Sequence, residues 1–302
     1  MILQQASRKK AKIRLGLSSV SGGGKTYSAI LIAKGLNNDL NKVAIIDTEN
    51  SSADLYAHLG SYRVLPLTAP FTPERYIEAI AACESAGMEV IIIDSISHEW
   101  EGKGGILELS DALGNHYQSA WKTLTPRHEN FKQAIIQSSC HIITTVRRKQ
   151  DYVLQEKTNK SGRVVQAPVK AGFKEVTREG WEYELTVNLE LELNHYATAS
   201  KDRTGLFMGK PSFIPSENTG RLILDWCNQG NSVEEEGKLF LTRINDCKKI
   251  NELLELYKTH PEIQATLLPQ FTRKRQLLSV SNDSKNIISN QNISNNGTPN
   301  NQ

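Results

Sequence analysis

Hydrophobic positions in the first half of the chain come in short, near-continuous runs, and between the runs they return at helical spacing. The runs "KIRLGLSS" (Lys12–Ser19), "KVAIIDTE" (Lys42–Glu49), "MEVIIIDSIS" (Met88–Ser97) and "CHIITTVRRK" (Cys140–Lys149) read as buried strands. The segments "KTYSAILIAKGLNN" (Lys25–Asn38), "TPERYIEAIAACESAG" (Thr72–Gly87) and "TPRHENFKQAIIQSS" (Thr125–Ser139) read as helices. The last two open on Thr-Pro, a cap followed by a residue suited to the first turn. Buried strands that alternate with helices predict an α/β fold, a mostly parallel sheet covered on both faces.

After Lys149 the pattern changes. Arg147–Gly180 is basic and poor in long apolar runs, and reads as a long loop or a loosely held hairpin. "WEYELTVNLELELN" (Trp181–Asn194) alternates like a strand, "HYATASKDRTGLF" (His195–Phe207) like a second strand with its turn, and "NTGRLILDWCNQG" (Asn218–Gly230) closes the main domain. Glu234–Leu278 is helical by pattern, with interruptions at Pro261 and Pro269. From Ser279 the chain is nearly all Asn, Ser, Gln and Thr, which cannot bury a core. The expected organisation is a main domain over 1–230, a small helical domain over 231–280 and a disordered tail over 281–302.

Composition adds little to this. Net charge is +3, so the placement of charge matters more than its sum. Four scattered cysteines form no C-x-x-C pair, which suggests neither a zinc site nor a disulfide framework and fits a reducing compartment. The N-terminal segment carries charges where a signal peptide needs an apolar run, and no stretch is apolar enough to span a membrane. A cytoplasmic protein with no membrane partner is expected.

The chemistry concentrates at "SVSGGGKTYS" (Ser19–Ser28). It matches the phosphate-loop pattern G-x-x-x-x-G-K-[ST] except at the first glycine, which is Ser19. A strand precedes it and a helix follows, as such a loop requires. Ser21, Gly22, Gly23, Gly24, Lys25, Thr26 and Tyr27 are the candidate nucleotide-binding residues. Lys25 supplies a charge for the β- and γ-phosphates, and the Thr26 hydroxyl is placed for Mg²⁺. Asp94 ends the strand "VIIID" and is the second candidate Mg²⁺ residue. Asp47 and Glu49 end a further strand. Either can polarise the attacking water, and Glu49 is the favoured base; Asp47 can equally be a cap or an ion-pair partner.

With those residues in place, the sequence resembles RecA-like P-loop ATPases, and most closely the short AAA-family ATPases of bacteriophages and prophages that accompany recombination. "GGGKTYSAILIAKGL", "AIIDTENSSADLYA", "IIIDSISHEWEGKGGILE", "AWKTLTPRHENFKQAI" and "HIITTVRRKQDYVLQ" carry the resemblance, which covers about residues 10–230. It implies ATP and Mg²⁺ as cofactors, Glu49 as general base, and Thr144 or Thr145 as a sensor of the γ-phosphate. It also implies a homo-oligomer in the host cytoplasm, acting on single-stranded DNA beside a single-strand-binding or annealing protein. "SKDRTG" (Ser200–Gly205) is similar to a K-x-R element in which Lys201 and Arg203 reach the neighbouring subunit's nucleotide; a plain turn with solvated charges is the alternative. Ser19 and the lack of a glutamine at the sensor tip depart from the recombinase pattern.

Between Arg147 and Arg178 the basic residues are Arg147, Arg148, Lys149, Lys157, Lys160, Arg163, Lys170, Lys174 and Arg178, against three acids, with Tyr152 and Phe173 among them. Cations for phosphates and rings for stacking are the elements of single-strand binding. Arg148, Lys149, Tyr152, Lys170, Phe173 and Lys174 are the candidate nucleic-acid contacts; a solvated surface loop is the alternative. "RKKAKIR" near the N-terminus is a weaker candidate. His98, His116 and His128 match no standard metal-ligand spacing, and His98 with Glu99 lies near enough to Asp94 in sequence to touch the site. Two other functions stay open: an ATPase that loads or remodels a protein without touching DNA, and a nucleotide-gated regulatory module.

Overall fold

A computed structural model describes residues 8–113, 117–158, 164–230, 233–260, 264 and 267–279. His116, Lys160, Arg163 and the Asn/Ser-rich tail from 281 lie outside the described residues. The chain forms two compact units, one of residues 11–227 and the other of the remaining described residues.

The larger unit is built on an eight-stranded sheet. In chain order its strands are β1 (Arg14–Ser19), β2 (Val43–Asp47), β3 (Arg63–Pro66), β4 (Val90–Asp94), β5 (His141–Thr158), β6 (Val164–Glu175), β7 (Val187–Leu191) and β8 (Ala197–Asp202). The spatial order is β3-β2-β4-β5-β1-β7-β8, and β6 pairs only with β5. Neighbours from β3 to β7 run parallel, β8 closes the edge antiparallel to β7, and β6 is antiparallel to β5. The α/β expectation holds.

Alternation along the strands divides the interior into two cores. Ile45, Ile92, Ile143 and Leu15 point to one face, where α1 (Lys25–Leu36) and α6 (Glu217–Cys227) pack. Ile46, Ile91, Ile93 and Ile142 point to the other, under α2 (Pro73–Ser85) and the helix that precedes β5. Strands apolar on both faces are what a doubly covered parallel sheet demands. Gly35 and Gly220 bring α1 and α6 close: a Cβ on Gly35 would lie 1.9 Å from the Glu217 carbonyl oxygen.

Several sequence expectations are corrected. Two short helices, α3 (Ser97–Glu101) and α4 (Ile106–Ala112), follow β4, and α5 then runs Tyr117–Gln137 with Pro126 inside it rather than at its start. Burial of Ala120, Leu124, Phe131 and Ile135 along one face offsets the backbone hydrogen bond that proline removes. Trp181–Glu184 is a 3₁₀ turn, not strand, because Trp181 turns into the core and stacks parallel to Phe131 at 6.3 Å. Arg14, buried at the start of β1, donates to the carbonyl oxygens of Ile136, Ser138 and Cys140 at 2.9, 2.5 and 2.8 Å. A cation there satisfies a carbonyl left in the last turn of α5 and two more in the connection to β5.

Of the two readings for the segment after Lys149, loop or hairpin, the structure has the hairpin, drawn out as a long two-stranded arm. β5, 18 residues in all, runs on past Lys149 to Thr158, about 30 Å of extended chain beyond the sheet. Its register with β1 ends at Ser19↔Arg147, and from Arg148↔Glu175 onward it pairs with β6 alone.

In the smaller unit, α7 (Val233–Asp246), α8 (Ile250–Thr259) and a helical stretch over 267–279 bury Phe240, Ile244, Leu253 and Phe271. Among the described residues, no helix is long and apolar enough to cross a membrane.

Candidate ATPase site

The site forms where β1, β2 and β4 end beside β5, which runs on into the arm. The loop leaves β1 after Ser19, which is a buried strand residue in register with Arg147. That explains the missing first glycine, because the position is extended and only Gly22 (φ 82°) and Gly24 (φ 84°) adopt the left-handed backbone. The serine imposes its own condition, since a Cβ on Gly23 would lie 1.8 Å from Ser19 Oγ. The Gly23 amide closes a turn on the Val20 carbonyl at 3.3 Å, so this residue shapes the loop and does not line the cleft. The first helical hydrogen bond of α1 runs from the Ser28 amide to the Gly24 carbonyl. The amides of Lys25, Thr26 and Tyr27 therefore have no intrahelical acceptor, and a helix N-terminus in this state favours an anion.

A cleft of about 1070 Å³ opens over the loop. Ser21, Gly22, Gly24, Lys25, Thr26, Tyr27, Glu49 and Asp94 line it, together with Arg147, Arg148 and Lys149. Lys25 Nζ folds back on the carbonyls of Ser19 and Val20, 3.3 Å from each. Burial holds its pKa below the usual lysine value, and the charges of Asp94 and Glu49 partly restore it. Thr26 Oγ1 donates to Asp94 Oδ2 at 2.5 Å, and Thr145 Oγ1 donates to Asp94 Oδ1. Burial raises the Asp94 pKa, and the two hydroxyls oppose that rise. A hydroxyl and a carboxylate beside a cationic loop are hard oxygen ligands, the donor set that suits Mg²⁺ held with a nucleotide's phosphates. Thr144 points the other way, to the Leu15 carbonyl at 3.4 Å, so Thr145 is the one at the site.

Asp47 and Glu49 separate cleanly. Asp47 is buried and accepts the amides of Glu49 (2.6 Å) and Ala53 (2.9 Å), fixing the turn after β2. Glu49 faces the cleft but is not free. Arg147 grips both its oxygens, with Nε 2.8 Å from Oε1 and Nη2 on Oε2, and Ser95 Oγ donates to Oε1 at 3.1 Å. Burial raises the Glu49 pKa, but the Arg147 hydrogen bonds and charge, aided by His98 and Ser95, bring the net value below the ordinary carboxylate.

Sequence reasoning missed this clamp and the polar scaffold beneath it. Thr48 Oγ1 bonds the Asp94 and Ser95 carbonyls (3.1 and 3.2 Å) and the Ser95 amide (2.8 Å). His98 Nδ1 lies 2.7 Å from Thr48 Oγ1, and its ring stacks on Phe71, so it braces the site through Thr48. Glu99 is corrected: it is buried away from the cleft, 3.0 Å from His128 Nδ1. The one available signal for the clamp was the distance of Arg147 from Thr145, two residues along a strand and hence the same face.

Lys201 and Arg203 lie at the opposite edge of the sheet. Asp202 pairs with Val187, which pairs with Leu15, whereas the loop departs from the other end of β1. Lys201 Nζ donates to the carbonyls of Glu182 (2.5 Å) and Tyr183 (2.6 Å), and Arg203 Nη2 to that of Tyr183 (2.9 Å). Neither lines its own chain's cleft. Any contact with a nucleotide would have to cross a subunit interface.

On the arm the candidate contacts split. Arg148 pairs with Glu190 and Lys149 with Glu101, both at 2.8 Å, at the cleft mouth. Tyr152, Lys170, Phe173 and Lys174 are exposed. A bulge sits on β6, where the partners step from Gly172 to Lys170, so the unbulged β5 sets the faces. Gln150↔Phe173 and Tyr152↔Lys170 share one face, and Lys149↔Lys174 lies on the other.

The family model for an AAA domain, AAA_24, matches residues 11–211 of the chain. No curated protein matches it.

Proposed function

Because this chain belongs to the AAA domain family, whose members carry an ATP-binding P-loop fold, we propose that it hydrolyses ATP with Mg²⁺ and couples hydrolysis to single-stranded DNA held on the β5–β6 arm. The observation that carries the reading is the continuity of β5. One strand holds Thr145 on Asp94, Arg147 on Glu49 and Tyr152 out on the arm.

In this reading the loop amides and Lys25 bind the phosphates, and Thr26 with Asp94 holds the metal ion. The ion supplies charge neutralisation along the phosphates when bound. Glu49 orients water and takes its proton at a carboxylate oxygen, and Arg147, by gripping both oxygens, weakens it as a base until it lets go. Thr145 keeps Asp94 oriented. The exposed rings of Tyr152 and Phe173 offer stacking surfaces, with Lys170 beside Tyr152 for a phosphate. Phage-type recombination, repair or replication is the process such coupling would serve, with an oligomer and a single-strand-binding or annealing protein as partners.

A second reading rests on Val153 and Leu154, which are exposed apolar residues on the same arm. They suit a protein partner, and an ATPase that loads or remodels a protein would need no DNA. Fluorescence anisotropy of an unstructured labelled oligonucleotide, with a non-hydrolysable ATP analogue and across a salt series, tests the choice. Salt-dependent binding is expected; no binding at low ionic strength by nucleotide-bound protein favours the protein partner.

A further inference from the structure

Arg147 holds a position that the phosphate loop and the base share. In the sheet it lies beside Ser19, the residue from which the loop departs. Its amide donates to Ser97 Oγ at 2.9 Å, and its carbonyl accepts the Val176 amide at 2.7 Å. The backbone is therefore pinned, while the guanidinium lines the same cleft as Lys25 and Thr26. It is bidentate on Glu49. Glu49 Oε1 accepts from both Arg147 and Ser95, which fills its two lone pairs, and Oε2 keeps one.

We propose that Arg147 is a cation exchanged between two anions: it clamps Glu49 while the cleft is empty and moves to the terminal phosphate of a bound triphosphate, freeing the base as it goes. The inference rests on the reading of the cleft as an ATP site. A terminal phosphate offers a guanidinium more charge and more acceptor oxygens than a carboxylate does. The side chain is partly exposed, so it can swing without disturbing a packed core. The Ser95 hydrogen bond stays with Oε1 and keeps Glu49 in place once the arginine has left. Oε2 is then open to water. One motion brings a positive charge to the phosphate and uncovers the group that activates the nucleophile, and a diphosphate, which lacks the terminal group, does not trigger it.

Equilibrium binding to the full chain tests this without turnover. The probes are an imido analogue of ATP and ADP, each with Mg²⁺, measured on the parent, Arg147→Met, Arg147→Lys, Glu49→Gln and Arg147→Met/Glu49→Gln. The parent should prefer the triphosphate, and Arg147→Met should remove about tenfold of that preference, the scale of one charge-assisted pair, with ADP affinity unchanged. Arg147→Lys should keep part of it. Glu49→Gln removes the competing anion and should tighten the triphosphate several-fold, but not when Arg147 is also Met. Parent-level ADP affinity certifies a folded cleft, and if the Met variants do not fold, Arg147→Lys with and without Glu49→Gln carries the comparison. Triphosphate affinity indifferent to Glu49→Gln, or raised equally in the presence and absence of Arg147, overturns the exchange. Failure of the parent to bind either nucleotide overturns the ATP reading itself.

Discussion

Strand β5 runs through two regions that treat its side chains in opposite ways. From His141 to Val146 every residue is buried between β4 and β1, and its polar groups have assigned partners: Ile13 for His141, Leu15 for Thr144, Asp94 for Thr145. From Tyr152 outward the same strand pairs only with β6, and its rings and aliphatic side chains stand in solvent. Arg147, Arg148 and Lys149 mark the boundary, each on an acid from a different element. The sheet region explains itself through burial and hydrogen bonding. The arm does not, because an exposed two-stranded ribbon with rings gains little stability of its own. Its composition makes sense as a surface for something else.

The largest effect should come from the cleft. Glu49→Gln keeps the shape but not the base, and steady-state turnover should fall on the order of a thousandfold. Unchanged turnover would move the base elsewhere. Lys25→Ala removes a cation from the phosphates, and kcat/KM should fall about a hundredfold or somewhat more. Parent-level hydrolysis would show that the loop is not the catalytic site.

Next comes the buried end of β5. Burial, with the charges of Lys12 and Arg14, lowers the His141 pKa to about 3. The unfolded histidine, near 6.5, binds a proton that the folded one refuses. Stability is therefore complete above about pH 6.5 and declines as pH falls toward the folded value. Between pH 7 and pH 5 this group should remove on the order of 2 kcal/mol, read as a lower urea midpoint. A His141→Gln variant should show a flatter dependence; an identical one would assign the acid sensitivity to other groups.

The arm effects are smaller and concern binding. Tyr152→Ala or Phe173→Ala should each weaken oligonucleotide affinity by ~1–3 kcal/mol with the salt slope kept, as stacking requires. Lys170→Gln should make the slope of log affinity against log salt shallower by about 0.7, and Lys174→Gln, on the opposite face, should not. Equal changes from both lysines would mean that the strand wraps the ribbon rather than tracking one face.

Local chemistry was legible in the sequence, and long-range pairing was not. The loop, Asp94 and the strand-helix alternation announce themselves within a few consecutive residues, and the parallel sheet follows. Ser19 looked like a defect and is an ordinary strand residue whose conformation needs no glycine. Arg147, Arg148 and Lys149 look like one basic run, yet their partners, Glu49, Glu190 and Glu101, lie 98, 42 and 48 residues away. Arg14 was unreadable for the same reason, since its acceptors sit between the last turn of α5 and the start of β5, more than a hundred residues downstream. Pro126 misled because packing outweighed a local rule.

The most direct test of the coupling is the steady-state ATPase rate of the full chain with and without single-stranded DNA, at saturating MgATP and low salt. The expected result is a rate that rises with DNA to a plateau and loses that rise, at the same DNA concentration, in the Tyr152→Ala/Phe173→Ala double variant. A parent that binds and hydrolyses ATP at one rate whatever the DNA concentration would contradict it.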